Sequence, residues 1–221
     1  MRHSILLSTL LSSVVLGLVI PTSTENPSTL VKRFEVSGAS RDRGFTIPDG
    51  TPDGMYRVTI DDDGVAHHTR VEEGGSGGKI SANAVALPVG VAPTTAAPSD
   101  PSLLLSGRQD DWRVTCADYD LDRGDADTVV RTLKWGCGSG TDLRAGDDFY
   151  SKYGSVVAYF CNTSRSTTYV CTEDLIGRQI QSGGVSADCG AYRAGWSNWR
   201  SDVSIGYERA NSNLYFCGKN H

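Results

Sequence analysis

Apolar and polar positions fall into regular patterns mainly in the second half of the chain. Residues 155–160 within Tyr153-Gly-Ser-Val-Val-Ala-Tyr-Phe-Cys161 form a short β-branched and aromatic run, the pattern of a buried strand. Such a strand places Val156, Ala158 and Phe160 on one face and Tyr159 on the other. Ala126, Val129, Val130 and Leu133 recur at helical spacing. They predict an amphipathic helix that Asp125 caps and Gly136 ends, with Lys134 in its last turn. Thr172 can cap a second helix with Leu175, Ile176 and Ile180 inward, stopping at Gly183-Gly184. Residues 112–116 read as a strand, 143–152 as a loop or irregular strand, and 192–196, 203–207 and 214–217 as short aromatic-rich strands. The order strand, helix, strands, helix, strands predicts an α+β fold. Over residues 109–221 this is a two-layer αβ-sandwich, with two helices on a mostly antiparallel sheet.

The first half is patterned differently. Within residues 34–73, Pro48-Asp49-Gly50, Pro52-Asp53-Gly54 and Asp61-Asp62-Asp63-Gly64 are turn chemistry, and Tyr56, Val58 and Ile60 alternate with polar residues, so a β-hairpin is expected. A lone hairpin is marginal in water, so it must dock on the core or serve as a recognition element. Residues 74–108 run Gly-Gly-Ser-Gly-Gly and then mix Ala, Pro, Val and Thr without period, predicting a flexible linker whose Leu103, Leu104 and Leu105 anchor its end. The apolar run 5–20 follows Arg2 and His3 and precedes small polar residues, which predicts a signal peptide over 1–24 rather than a membrane span. The dibasic pair Lys32-Arg33 marks 25–33 as a candidate pro-peptide, although adjacent basic residues also arise by chance.

Composition narrows the classes. With 25 Gly, 8 Pro and low hydrophobicity, part of the chain does not pack. A net charge of −5 and a pI near 5.3 argue against an electrostatic grip on nucleic acid or anionic lipid. A monomer without a nucleic-acid partner or a membrane span is expected. The six cysteines, Cys116, Cys137, Cys161, Cys171, Cys189 and Cys217, include no Cys-x-x-Cys and have no histidine spacing beside them, which is disulfide arithmetic rather than a metal site. They allow fifteen pairings, and the sequence does not choose among them. The working assignment joins Cys116 to Cys137, Cys161 to Cys171 and Cys189 to Cys217. A core of about a hundred residues buries only about two-thirds of its unfolded surface. Disulfides worth about 2–4 kcal/mol each then decide its stability. Asn162-Thr163-Ser164 is a glycosylation acceptor motif. Together with the leader, it predicts a secreted, extracellular, oxidised protein.

Candidate chemistry is sparse. From residue 109 onward the only histidine is His221 at the chain end, which disfavours Ser-His-Asp, Cys-His and His-ligated zinc chemistry. His67 and His68 are adjacent, point to opposite faces of a strand and read as solvated. Asp118, Asp120, Asp122, Asp125 and Asp127 crowd one turn, and Asp147, Asp148, Glu173, Asp174 and Glu208 are scattered, so no two stand out as a glycosidase pair. The acidic alternation misses calcium-loop spacing, and Arg123-Gly124-Asp125 gives a helix start rather than an adhesion motif. No catalytic residue, metal or cofactor is expected. Tyr192, Trp196, Trp199, Tyr207 and Tyr215 could form a sugar-stacking surface. Tyr192 and Trp196 are expected beneath the helices, and Trp199 is the residue expected to be exposed. The candidate ligand surface is therefore Trp199, Tyr207 and Tyr192.

The run 153–162, with Cys171, then Cys189-Gly190-Ala-Tyr192-Arg-Ala-Gly195-Trp196, Gly206-Tyr207-Glu208 and Phe216-Cys217, resembles small secreted cysteine-rich proteins of filamentous fungi, many of them candidate effectors. The Pro-Asp-Gly-x-Tyr segment upstream resembles their N-terminal region. More distantly, residues 110–217 are similar in pattern to the αβ-sandwich of the virus-encoded killer toxins of smut fungi and of necrosis-inducing extracellular effectors. The resemblance implies a non-enzymatic effector or toxin-like protein that binds a host or competitor surface component, a polysaccharide among the options. It transfers no functional residue. The alternatives are a carbohydrate-binding module and a glycosidase using a carboxylate pair.

Overall fold

The computed structural model of the protein describes residues 33–71, 85–86, 112–211 and 213–219. The expected signal peptide, Lys32, Leu103–Leu105 and all of the expected linker except 85–86 lie outside the described residues.

The elements are β1 (Arg33–Ser37), β2 (Gly54–Ile60), β3 (Val65–Val71), β4 (Val85–Ala86), β5 (Trp112–Asp120), α1 (Arg123–Cys137), β6 (Thr141–Leu143), β7 (Asp147–Tyr153), β8 (Val156–Asn162), β9 (Tyr169–Cys171), α2 (Glu173–Ile176), a π-helical turn (Gly177–Ser182), α3 (Val185–Cys189), β10 (Arg193–Trp199) and β11 (Val203–Arg209). Eight strands form one sheet in the order β1-β3-β2-β7-β8-β11-β10-β5, and every neighbouring pair is antiparallel. A small sheet orders β4-β9-β6, with β4 parallel to β9. The fold is α+β, with the helices on one face of the large sheet and three disulfides among the elements.

Strands β2 and β3 are joined by the turn at 61–64, and Val65 N donates to Asp61 Oδ1 at 2.8 Å. Strand β2 pairs with β7 from Gly54↔Lys152 to Thr59↔Asp147, so this hairpin and the cysteine-bearing core share one sheet. The fit depends on Gly136 in α1, because Met55 Sδ of β2 occupies the space a Cβ there would take. Gly136 is therefore a packing position inside the helix, which runs to Cys137 and is capped by Gly138 at φ 52°, whose N–H donates to Lys134 O. Its cap is Asp122 rather than Asp125: Asp122 Oδ1 accepts from Asp125 N at 2.9 Å. Asp125 instead accepts from Ser155 N at 2.8 Å and Ser155 Oγ at 2.9 Å, tying the helix to the β7–β8 turn.

Alternation along β8 divides two cores. Val156, Ala158 and Phe160 face α1, α2 and the π-helical turn, with Val129, Val130, Leu133, Leu175, Ile176 and Ile180 buried against them. Val157, Tyr159 and Cys161 face away and pack with Phe45, Ile47, Tyr56, Val58, Tyr150 and Phe216. Among the described residues no helix covers this second face. Residues from the β1–β2 connection and the C-terminal tail do so, joined where Phe45 N donates to Phe216 O (2.9 Å) and Phe216 N to Phe45 O (2.8 Å). The strand expected at 214–217 is therefore only an isolated bridge, since its partner is a loop rather than a sheet edge.

The same parity corrects the disulfides, which join Cys116–Cys189, Cys137–Cys171 and Cys161–Cys217. Cys161 and Cys171 are near in sequence but lie in different cores, so they cannot meet. One bridge closes each core, and the third ties β5 to α3.

Candidate functional site

The three residues of the expected ligand surface separate in the fold. Trp199 is 8 % exposed, on the helix side of β10, with its ring edge-on to Tyr169 at 5.7 Å between centroids, and Arg200 stacks over it at 4.5 Å. The expectation that it projects into solvent is corrected. Its register opposite Val203 and Trp112 gives it the parity of the helix-facing core, while Trp196 packs against the other core instead of beneath the helices. Tyr215 lies on the tail under Arg43, at 4.8 Å, so the five aromatics do not form one flat platform.

Tyr192 and Tyr207 do come together. They line a cleft of about 170 Å³ with Ala126, Asp127 and Val130 of α1, Ile180 and Gln181 of the π-helical turn, and Ser186 of α3. Tyr207 is 3 % exposed, and its hydroxyl lies 3.2 Å from Ser186 Oγ. Burial raises its pKa. Tyr192 is half-buried, and its hydroxyl donates to Asp127 Oδ2 at 3.4 Å. Arg123 sits over its ring at 5.4 Å. The backbone of Tyr192 has φ 62°, in the left-handed region that costs a bulky residue about 1–2 kcal/mol. The strain is held by its own carbonyl, which accepts from Leu121 N at 2.8 Å, and by the turn in which Arg193 N donates to Gly190 O at 3.3 Å. The wall opposite is a π-helical turn, a local widening of the helix that frequently accompanies functional sites. The site thus offers a ring face, a carboxylate, hydroxyls and an amide. Asp127, Gln181 and Ser186 were not legible as site residues, because only α1 and the turn after α2 bring them beside Tyr192.

The remaining polar groups are mostly structural. Asp148 is 3 % exposed and accepts from Asn162 N at 2.9 Å, and burial pushes its carboxyl well above the usual range. Asp147 pairs with Arg57 at 2.9 Å. Glu208 accepts from Tyr159 at 2.9 Å and from Tyr119 at 3.3 Å. Asp148 lies near Cys161 and Cys217, but those sulfurs are bonded to each other and offer no thiolate to a metal. His68 is buried rather than solvated. It stacks on Phe34 at 4.4 Å and meets Tyr150 Oη through Nδ1 at 3.1 Å, and burial pushes its pKa down to about 4. His67, on the other face, bridges Asp61 (2.8 Å) and Glu35 (3.0 Å), which hold its pKa up. Arg33 opens β1, its guanidinium 3.6 Å from Glu35.

Asn162 is 1 % exposed, and its Nδ2 lies within 3.0 Å of the carbonyl oxygens of Leu143, Arg144 and Thr167. Its Oδ1 accepts from Ser164 N. The folded chain leaves Nδ2 no room for a glycan, so the acceptor motif serves here as a buried turn anchor.

No family model, curated protein or solved structure matches the chain. Among the described residues no helix is long and apolar enough to cross a membrane.

Proposed function

We propose that this is a secreted, non-enzymatic binding protein of the effector or toxin-like kind, which takes one sugar ring of a host or competitor surface component in the Tyr192/Tyr207 cleft. The carrying observation is Tyr192, a bulky residue kept in a left-handed conformation beside Asp127 with its ring flanking a cleft. Sugars present an apolar ring face and a rim of hydroxyls. An aromatic ring with a carboxylate, hydroxyls and an amide at its edge complements both. About 170 Å³ suits one ring rather than a drug-sized ligand, which needs about 300 Å³ or more. A glycosidase working through two carboxylates needs a facing pair. In this cleft Asp127 is the one carboxylate among the described lining residues. Disulfides of this number are typical of extracellular proteins and support the secreted reading.

The test is a ¹H–¹⁵N NMR titration of the oxidised protein with monosaccharides and short chitin, glucan and xylan oligosaccharides. Saturable shifts centred on residues 127, 186, 192 and 207 are expected for at least one, and Tyr192→Ala should abolish them. If no sugar gives saturable shifts, or Tyr192→Ala responds as the parent does, the reading fails.

A further inference from the structure

A second cleft, of about 370 Å³, opens among the loops and tail and is lined by Arg41, Asp42, Thr163, Arg165 and Lys219. Its residues come from three separate segments: the β1–β2 connection, the β8–β9 loop and the C-terminal tail. Backbone bonds hold the segments in place. Lys219 N donates to Asp42 O at 3.0 Å and Thr163 N to Asp202 O at 2.8 Å, and Cys161–Cys217 ties β8 to the tail. Thr163 Oγ1 is already committed to Ser201 O at 2.8 Å, so the charged side chains define what the cleft can hold.

The cleft is cationic in an acidic chain. The net charge of the protein is −5, yet three cations and one carboxylate line this opening, leaving two positive charges. Among the described residues no ion pair or side-chain hydrogen bond engages Arg41, Arg165 or Lys219. Arg41 is exposed, and its guanidinium passes Gly146, at φ 79°, so closely that an added Cβ there would stand 2.8 Å from Arg41 Cζ. The buried carboxyl of Asp148 lies near enough for Arg41 to act on it, while burial raises its pKa. Three exposed cations lining one opening favour an anion there, most strongly at low ionic strength. Two positive charges match the dianion of a phosphate monoester, and two guanidiniums with an ammonium supply donors for its oxygens. The acidity of the rest of the chain disfavours a long polyanion and selects a discrete group.

We propose that the cleft formed by Arg41, Arg165 and Lys219 binds a phosphate monoester group, carried either on a small molecule or on a phosphorylated surface glycan. The site is independent of the Tyr192/Tyr207 cleft. Titration of the full oxidised chain at pH 7.5 and low ionic strength with methyl phosphate, read by NMR, should give saturable shifts at residues 41–42, 163–165 and 219. Methyl sulfate, a monoanion of similar shape, should bind about tenfold more weakly. Arg165→Ala and Lys219→Ala should each weaken methyl phosphate about tenfold, Arg165→Lys less, and Tyr192→Ala not at all. Comparing a sugar phosphate with a phosphorylated polysaccharide then separates the two sources. Shifts no larger than those from chloride at matched ionic strength, or unchanged affinity in the Arg165→Ala/Lys219→Ala double variant, overturn the site. Equal affinity for methyl phosphate and methyl sulfate overturns its dianion selectivity.

Discussion

The two faces of the eight-stranded sheet are closed by different means. On one, α1, α2 and the π-helical turn bring Val129, Leu133, Leu175 and Ile180 onto β8, and the Tyr192/Tyr207 cleft opens at their edge. On the other, irregular chain does the covering. Phe45, Ile47 and Phe216 arrive on loop and tail, fastened by a two-bond bridge and Cys161–Cys217, and the cationic cleft opens there. A helix satisfies its own backbone, so a covering helix needs only an apolar stripe. A covering loop must find partners for its amides elsewhere, which is why the second face depends on the Phe45–Phe216 backbone bridge and on a disulfide.

The sharpest way to break this contrast is to open the second face alone. The Cys161–Cys217 bridge spans 56 residues of sequence, and removing it as Cys161→Ala/Cys217→Ala should cost about 4 kcal/mol by chain entropy. Hydrogen exchange should then accelerate first around Phe45 and Phe216, while the amides of α1 stay protected to the global limit. Equal acceleration in α1 would mean that the two faces open as one unit.

Acid provides the next largest effect. The ordinary His pKa is 6.5 and that of folded His68 is about 4, so between those values the unfolded chain binds a proton that the folded chain does not. Stability therefore falls as pH falls through this window, by roughly 3 kcal/mol from this residue. His67, with its raised pKa, acts in the opposite sense: its contribution is present below pH 6.5 and is lost as pH rises through the folded value. Asp148, also raised, likewise loses its contribution as pH rises above 3.8. Urea midpoints at pH 7 and pH 4.5 should converge in His68→Phe relative to the parent. An identical pH dependence in both proteins would show that the buried His68 does not set it.

The smallest effect sharpens the helix-side cleft. Tyr192→Gly and Tyr192→Ala both remove the ring, but only alanine keeps a Cβ at φ 62°. Glycine should be the more stable of the two by about 1 kcal/mol, measured by thermal or urea unfolding, while both lose sugar binding. If alanine is as stable, the turn relaxes freely and is not strained for function.

What sequence reading reached and missed follows the same division. The stripe in α1, the inward residues after Thr172 and the alternation in β8 were legible because local period reports burial whenever a regular element faces one core. The helix cap was displaced by one turn because Asp122 and Asp125 both have capping chemistry, and only the contact with Ser155 separates their roles. The exposure of Trp199 was misjudged because β10 carries aromatics of both parities, and the strand alone does not say which face the helices cover.

By itself the sequence determined the α1 stripe, the helical turn after Thr172, the β8 alternation, the turn-bounded hairpin, the cysteine set and the acidic balance, all of which rest on neighbours along the chain. Only the tertiary structure decided which cysteines pair, that β2 and β7 join hairpin and core, that His68 and Asn162 are buried, and that Arg41, Arg165 and Lys219 share a cleft. These facts depend on sheet order, and sheet order is set by which apolar faces can be buried together across long sequence separations, where no local period carries a signal.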